Sequence, residues 1–152
     1  MMENKDIPIP MSQRRGLGAS LRLAHHLYGK RLQKRLISSE LSMAQYIHLR
    51  TLKEEVRISQ SELSAQLGIE KASSTRVLDE LAQRGLIRRD RHKQDKRMLV
   101  VSLTEAGHAK IDEAMDTARV IADIASQDFD EGELLQLFRA LDKMIDNLSA
   151  ES

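Results

Sequence analysis

Residues 59–107 read SQSELSAQLGIEKASSTRVLDELAQRGLIRRDRHKQDKRMLVVSLTEAG, and their hydrophobic period changes partway along. Up to Gly85 apolar side chains return every three or four positions, as on one side of an α-helix; beyond it they alternate, as on a strand. Ser59-Gln60-Ser61-Glu62 has the form of a capping box, so a short helix opens there, turns Leu63 and Leu67 inward and stops at Gly68. A second helix is predicted over about 71–84, with Val77, Leu78 and Leu81 toward the core and Gly85 as its end. Two short helices joined by a glycine turn suggest a helix-turn-helix. Residues 86–89 and 98–103 then read as two strands of a hairpin whose long basic tip is 90–97.

Working outward, Ser42-Met43-Ala44-Gln45 is another capping box and predicts a helix over 42–54 that carries Tyr46, Leu49 and Leu52 inward. Val56-Arg57-Ile58 alternates and suggests a minimal strand. Leu17, Leu21, Ala24, Tyr28 and Leu32 recur at helical steps, predicting a first helix over about 14–37, while residues 1–13, with Pro8 and Pro10, form an arm. Thr104 caps a further helix from Glu105 to the mid-120s, and Asp130-Glu131-Gly132-Glu133 opens the last, carried by Leu134, Leu135, Phe138, Leu141, Ile145 and Leu148. The expected fold is mainly α with a small β-hairpin wing: a winged helix-turn-helix lobe (42–104) flanked by helices 14–37 and 105–149, all in one domain.

Composition bounds what such a chain does. At 152 residues it is long enough for one core and lacks the roughly 18–20-residue apolar run of a membrane-spanning helix. No apolar signal core stands at the N-terminus, so a cytoplasmic location is expected. With no cysteine, disulfides, thiolate metal sites and thiol-based peroxide sensing are excluded. Net charge is only +1, but residues 1–104 hold 20 Lys/Arg against 11 Asp/Glu and residues 105–152 hold 4 against 12. That asymmetry points one part of the chain at a polyanion. Motifs of enzymatic chemistry such as H-E-x-x-H, a P-loop, G-x-S-x-G and G-x-G-x-x-G are absent, and a non-enzyme is expected.

With its buried side set apart, the helix at 71–84 offers Lys71, Ser73, Ser74, Thr75 and Arg76 in its first turns. In a helix-turn-helix the second helix enters the major groove by this end, where short hydroxyls allow close approach and Arg76 reaches a phosphate or a guanine edge. The hairpin supplies a second contact. Residues 88–97 carry six basic and two acidic side chains, a tip suited to lie on the backbone or in the electronegative minor groove. Asp95, two residues before Arg97, is positioned to brace the wing through an arginine or backbone amides and leave Arg97 to point at DNA. The expected DNA-binding set is Ser61, Lys71, Ser73, Ser74, Thr75, Arg76, Arg89, Arg91, Lys93, Asp95, Lys96 and Arg97.

The ordered set Leu63…Leu67-Gly68-Ile69, Thr75-Arg76…Leu78-Asp79…Leu81…Gly85-Leu86-Ile87, Asp95-Lys96-Arg97 and Leu103-Thr104-Glu105-Ala106-Gly107 closely resembles the winged helix of the MarR family of repressors. The resemblance implies a homodimer in which the first helix and the last two interlock with their two-fold mates, and two winged lobes that read a pseudo-palindromic operator. It also implies that Thr75 and Arg76 belong to the reading helix, Arg97 to the minor groove and Asp95 to its bracing. Such proteins release DNA when an aromatic or lipophilic anion, or its coenzyme A thioester, enters a crevice between dimer helices and lobe. Here that crevice assigns Arg22, His25, His26, Tyr46 and Arg50 as effector-binding candidates. His108 and Asp112 stand at metal-compatible i/i+4 spacing, but no dense ligand set accompanies them, and neither metal nor cofactor is expected. A different class of function, a winged helix gripping RNA or an acidic protein, would need stacking aromatics for single-stranded RNA. Tyr28, Tyr46, Phe129 and Phe138 all lie outside the basic helix-turn-helix and hairpin of residues 59–103, which favours duplex DNA.

Overall fold

The capping boxes at Ser42, Ser59 and Asp130 each open a helix in the computed structural model, which describes residues 8–150. In all three the cap oxygen accepts the N–H three residues on, and that residue's side chain returns to the cap N–H. The elements in chain order are α1 (Met11–Arg15), α2 (Leu17–Leu36), a 3-10 turn (Ile37–Ser39), α3 (Met43–Glu54), β1 (Ile58–Ser59), α4 (Gln60–Leu67), α5 (Lys71–Gln83), β2 (Ile87–Arg91), β3 (Leu99–Leu103), α6 (Glu105–Ala125) and α7 (Glu131–Ser149). The first seven residues of the expected N-terminal arm lie outside the described residues.

The first helix differs from expectation. It is broken at Gly16, whose φ of 95° leaves the helical region and is accessible to glycine without strain. The break is stapled by Ser20, whose hydroxyl donates to the Ser12 carbonyl at 2.9 Å. Of the apolar stripe along α2, only Leu32 and Leu36 are buried; Leu17, Leu21, Leu23, Leu27 and Tyr28 are exposed.

The chain divides into two compact units within α6, one through Ala118 and one from Arg119 on. In the first, Leu36, Leu49, Leu52, Leu63, Leu78, Leu81, Val101 and Ile111 are fully buried. Each such side chain contributes about 1.5–3 kcal/mol by leaving water. The three strands form an antiparallel sheet in the order β1-β3-β2, with Ile58 opposite Val101 and Ile87, Arg89 and Arg91 opposite Leu103, Val101 and Leu99. The short strand is Ile58–Ser59, beginning two residues and ending one residue later than predicted, and Val56, 81% exposed, takes no part in the core. The outgoing wing strand extends through Asp90 and Arg91, and the return strand begins at Leu99 rather than at Met98. In the second unit α7 has Phe138, Ile145 and Leu148 exposed. Among the described residues no helix is long and apolar enough to cross a membrane.

Candidate nucleic-acid interface

Helix α4 ends at Gly68 and α5 begins at Lys71, so the turn of the helix-turn-helix is only a few residues long. The start of α5, the start of α4 and the end of the wing enclose a cleft of about 220 Å³ lined by Ser61, Lys71, Thr75 and Arg97, among others. Four of the expected DNA-binding residues, from two helices and the wing, thus meet at one concave surface. Lys71, Arg76, Lys93 and Lys96 are exposed, and among the described residues their side chains have no ion pair or hydrogen bond. Ser61 and Ser73 are also exposed.

Ser74 departs from expectation. It is fully buried, and its hydroxyl lies 2.9 Å from Nε2 of His48 on α3, whose Nδ1 is 2.7 Å from the Ala44 carbonyl. A carbonyl accepts only, so Nδ1 carries the proton, and the neutral ring accepts at Nε2 from Ser74. Burial pushes the His48 pKa below its ordinary value, with the Ala44 hydrogen bond acting in the opposite sense. Ser74 therefore ties α5 to α3, and its hydroxyl is committed within the protein. A second tie lies near the other end of α5: Gln45 donates to Glu80 at 3.0 Å, and Arg84 donates to the Glu40 carbonyl and to Gln45.

The wing's basic residues divide by role. Arg89 is only 21% exposed and pairs with Asp79 of α5 at 2.6 Å, so it fastens the wing to α5 instead of presenting its charge outward. Arg91 donates to the Lys96 carbonyl at 2.8 Å and closes the tip. His92 Nδ1 accepts from the N–H groups of Gln94 and Asp95 at 3.1 and 3.2 Å, supporting the same turn. Asp95 Oδ1 accepts from both the backbone N–H and Nε of Arg97, at 3.1 and 3.2 Å. The Arg97 side-chain bond and then its backbone bond hold the Asp95 carboxyl below the usual carboxylate range. Arg97 itself remains 92% exposed, and among the described residues its terminal nitrogens have no partner. The expected brace is thus Arg97's own: Asp95 orients the arginine through Nε and leaves the fork free.

Gln60 and Arg57 were not singled out from sequence. Gln60 Nε2 lies 2.9 Å from the Thr75 hydroxyl, and Arg57 stands beside His92, Lys93 and Gln94 of the wing tip. Neither contact has a local signal, since the partners are 15 and more than 30 positions away.

The effector candidates are brought together only in part. Tyr46 and Arg50 are a turn apart on α3; burial raises the Tyr46 phenol above its ordinary pKa, Arg50 opposes this, and Tyr28 of α2 adds to the rise. Arg50 is also paired with Glu54. Arg22, His25 and His26 are exposed on α2, and among the described residues no hydrogen bond or ion pair joins them to Tyr46 or Arg50. Asp112, considered with His108 as a metal pair, is engaged by Lys53.

A sequence model of the MarR family matches residues 41–99, the lobe that carries the cleft. The HTH-type transcriptional repressor NicR of Pseudomonas putida is 28% identical over 131 residues, 86% of this chain and 83% of that protein. The organic hydroperoxide resistance transcriptional regulator of Bacillus subtilis is 30% identical over 71% of this chain and 72% of its own length. Among solved structures, Bordetella bronchiseptica BpsR, described for the regulation of its DNA binding by 6-hydroxynicotinic acid, is similar with a TM-score of 0.75 at 25% identity, over 84% of this chain and 97% of that one. By these matches, and by the winged lobe they cover, the chain belongs to the MarR family of DNA-binding transcriptional regulators.

Proposed function

We propose that this regulator is a ligand-responsive repressor that binds a pseudo-palindromic duplex operator as a homodimer. The observation that carries this reading is the cleft where Ser61, Lys71 and Thr75 of the helix-turn-helix meet Arg97 of the wing, flanked by exposed cations that have no ion pair or hydrogen bond among the described residues. Helix α5 enters the major groove by its N-terminal end, with Lys71, Ser73, Thr75 and Arg76 toward bases and phosphates. The wing lies along the backbone, and Arg97 enters the minor groove, oriented by Asp95. Exposed apolar residues on α2 and on α7 support pairing of the flanking helices 14–37 and 105–149 with those of a second copy. Two-fold symmetry then sets half-sites about 10 base pairs apart, one helical turn.

The effector is a small aromatic or lipophilic anion, or its coenzyme A thioester, held near Tyr46 and Arg50 with Arg22, His25 and His26 as further cationic or polar partners. The similarity to BpsR supports this class. Selection of bound duplexes from a random pool tests the operator. An enriched palindrome is expected, with affinity falling at about 0.9 decades per decade of salt for each phosphate neutralised; no enriched sequence would sink the reading. Titration of the complex with 6-hydroxynicotinate, other aromatic acids and their thioesters tests the effector, and release by at least one is expected.

A further inference from the structure

Thr75 lies in the second turn of α5 and lines the cleft beside the wing. Its hydroxyl oxygen is 2.8 Å from the Lys71 carbonyl and 2.9 Å from Gln60 Nε2. Because a carbonyl only accepts, the single hydroxyl proton goes to Lys71, and the Gln60 amide donates to the oxygen. Turning the amide over would not free that proton, since Gln60 Oε1 would then compete for it from within the protein. Guanine O6 and N7, adenine N7 and thymine O4 all require a donor in the major groove, and Thr75 has none to offer. What it retains toward the groove is its Cγ2 methyl group and one oxygen lone pair, which only the amino group of an adenine or a cytosine could use. The apolar feature of the major groove is the C5-methyl of thymine.

We infer that Thr75 reads the operator through its methyl group, packed against a thymine C5-methyl, while Gln60 and Lys71 hold its hydroxyl inside the protein. This rests on the DNA-reading role proposed for α5. Specificity at that base pair is then set by van der Waals contact, and the polar reading falls to Ser73 and Arg76.

The test replaces thymine by uracil in the selected operator, one symmetric pair of positions at a time, which removes only the C5-methyl. The ratio of affinities for the thymine and uracil duplexes is measured for the wild type, Thr75→Ser and Thr75→Val. The expected result is one symmetric pair at which the wild type loses about four-fold per half-site, the size of one buried methyl group. Thr75→Val keeps that ratio, and Thr75→Ser brings it to one. A wild-type ratio of one at every position overturns the inference. So does a ratio that Thr75→Ser retains, which would assign the contact to another side chain such as the exposed Ala72, or one that Thr75→Val loses, which would return the role to the hydroxyl. Each protein is compared with itself, so a general change in stability or affinity does not move the ratio. Failure to select any operator would strike the DNA-binding reading; an operator with no Thr75-dependent ratio strikes this inference alone.

Discussion

Arg97 and His48 are both polar side chains held by one short hydrogen-bonded arrangement, but they sit in opposite surroundings. Arg97 is exposed and oriented by Asp95, so its removal takes little from the fold. Arg97→Ala is expected to weaken operator binding by about 1–3 kcal/mol, measured by fluorescence anisotropy at fixed salt, with an unchanged unfolding midpoint. His48 is buried between the Ala44 carbonyl and Ser74, and burial lowers its pKa below the ordinary 6.5. The sign follows from proton uptake. As pH falls below about 6.5 the unfolded chain protonates this histidine before the folded one does, so stability present above that pH is lost on the way down to the folded pKa. Urea unfolding from about pH 7.5 to about pH 5.5 should show a steeper loss for the wild type than for His48→Gln. Parallel curves would mean that the ring titrates alike in both states.

Between elements, the joint of wing, α5 and α6 is where single atoms carry most consequence. Thr104 donates to the Gly85 carbonyl at 2.6 Å, accepts the Gly107 N–H at 3.0 Å and gives its own N–H to the Leu86 carbonyl at 3.1 Å. A Cβ at Gly107 would stand 2.0 Å from that same Leu86 oxygen, a distance at which backbone must move. Helix propensity alone would favour Gly107→Ala by about 1 kcal/mol. The clash is larger, and the substitution is expected to destabilise by about 3 kcal/mol or more, read from denaturant midpoints. This gives the Leu103-Thr104-Glu105-Ala106-Gly107 motif a physical reason: it packs the first turn of α6 onto the base of the wing. The Arg89–Asp79 pair fastens the same wing to α5 further out. Asp79→Asn should therefore leave the fold intact and lower operator affinity through a looser wing, with the Arg97→Ala effect shrinking in that background in a double-mutant cycle.

For the whole molecule, the surfaces on the flanking helices matter most. A surface helix need cover its apolar stripe only once, yet Leu17, Leu21 and Leu27 on α2 and Phe138, Ile145 and Leu148 on α7 remain exposed in a single chain. Leu148 is 82% exposed and Phe138 56%, more apolar surface than a solvated helix face offers without a partner. Placing a charge in that stripe should separate the copies. Ile145→Asp is expected to convert a dimer to monomer in sedimentation velocity and to abolish tight operator binding, because each lobe then binds its half-site alone. A monomeric wild type would remove the two-fold operator from the proposal.

Much of this was legible along the chain because its causes are local. A capping box places donor and acceptor three residues apart; both predicted boxes formed, and the helix start read at Asp130 closes a third. The change from helical to alternating period after Gly85 likewise marked the wing, since each period follows from backbone geometry within a few residues. Ser74 shows where such reading stopped. Its spacing put it among the exposed hydroxyls of α5, and only α3 packing across it, with His48 in reach, made it a buried tie. The roles of Arg89, Gln60 and Gly107 were hidden for the same reason: each depends on a partner from 10 to 21 positions away. Charge and period in the sequence determined that a basic winged lobe exists. Tertiary packing decided which of its polar atoms are already satisfied within the protein and which remain to meet DNA.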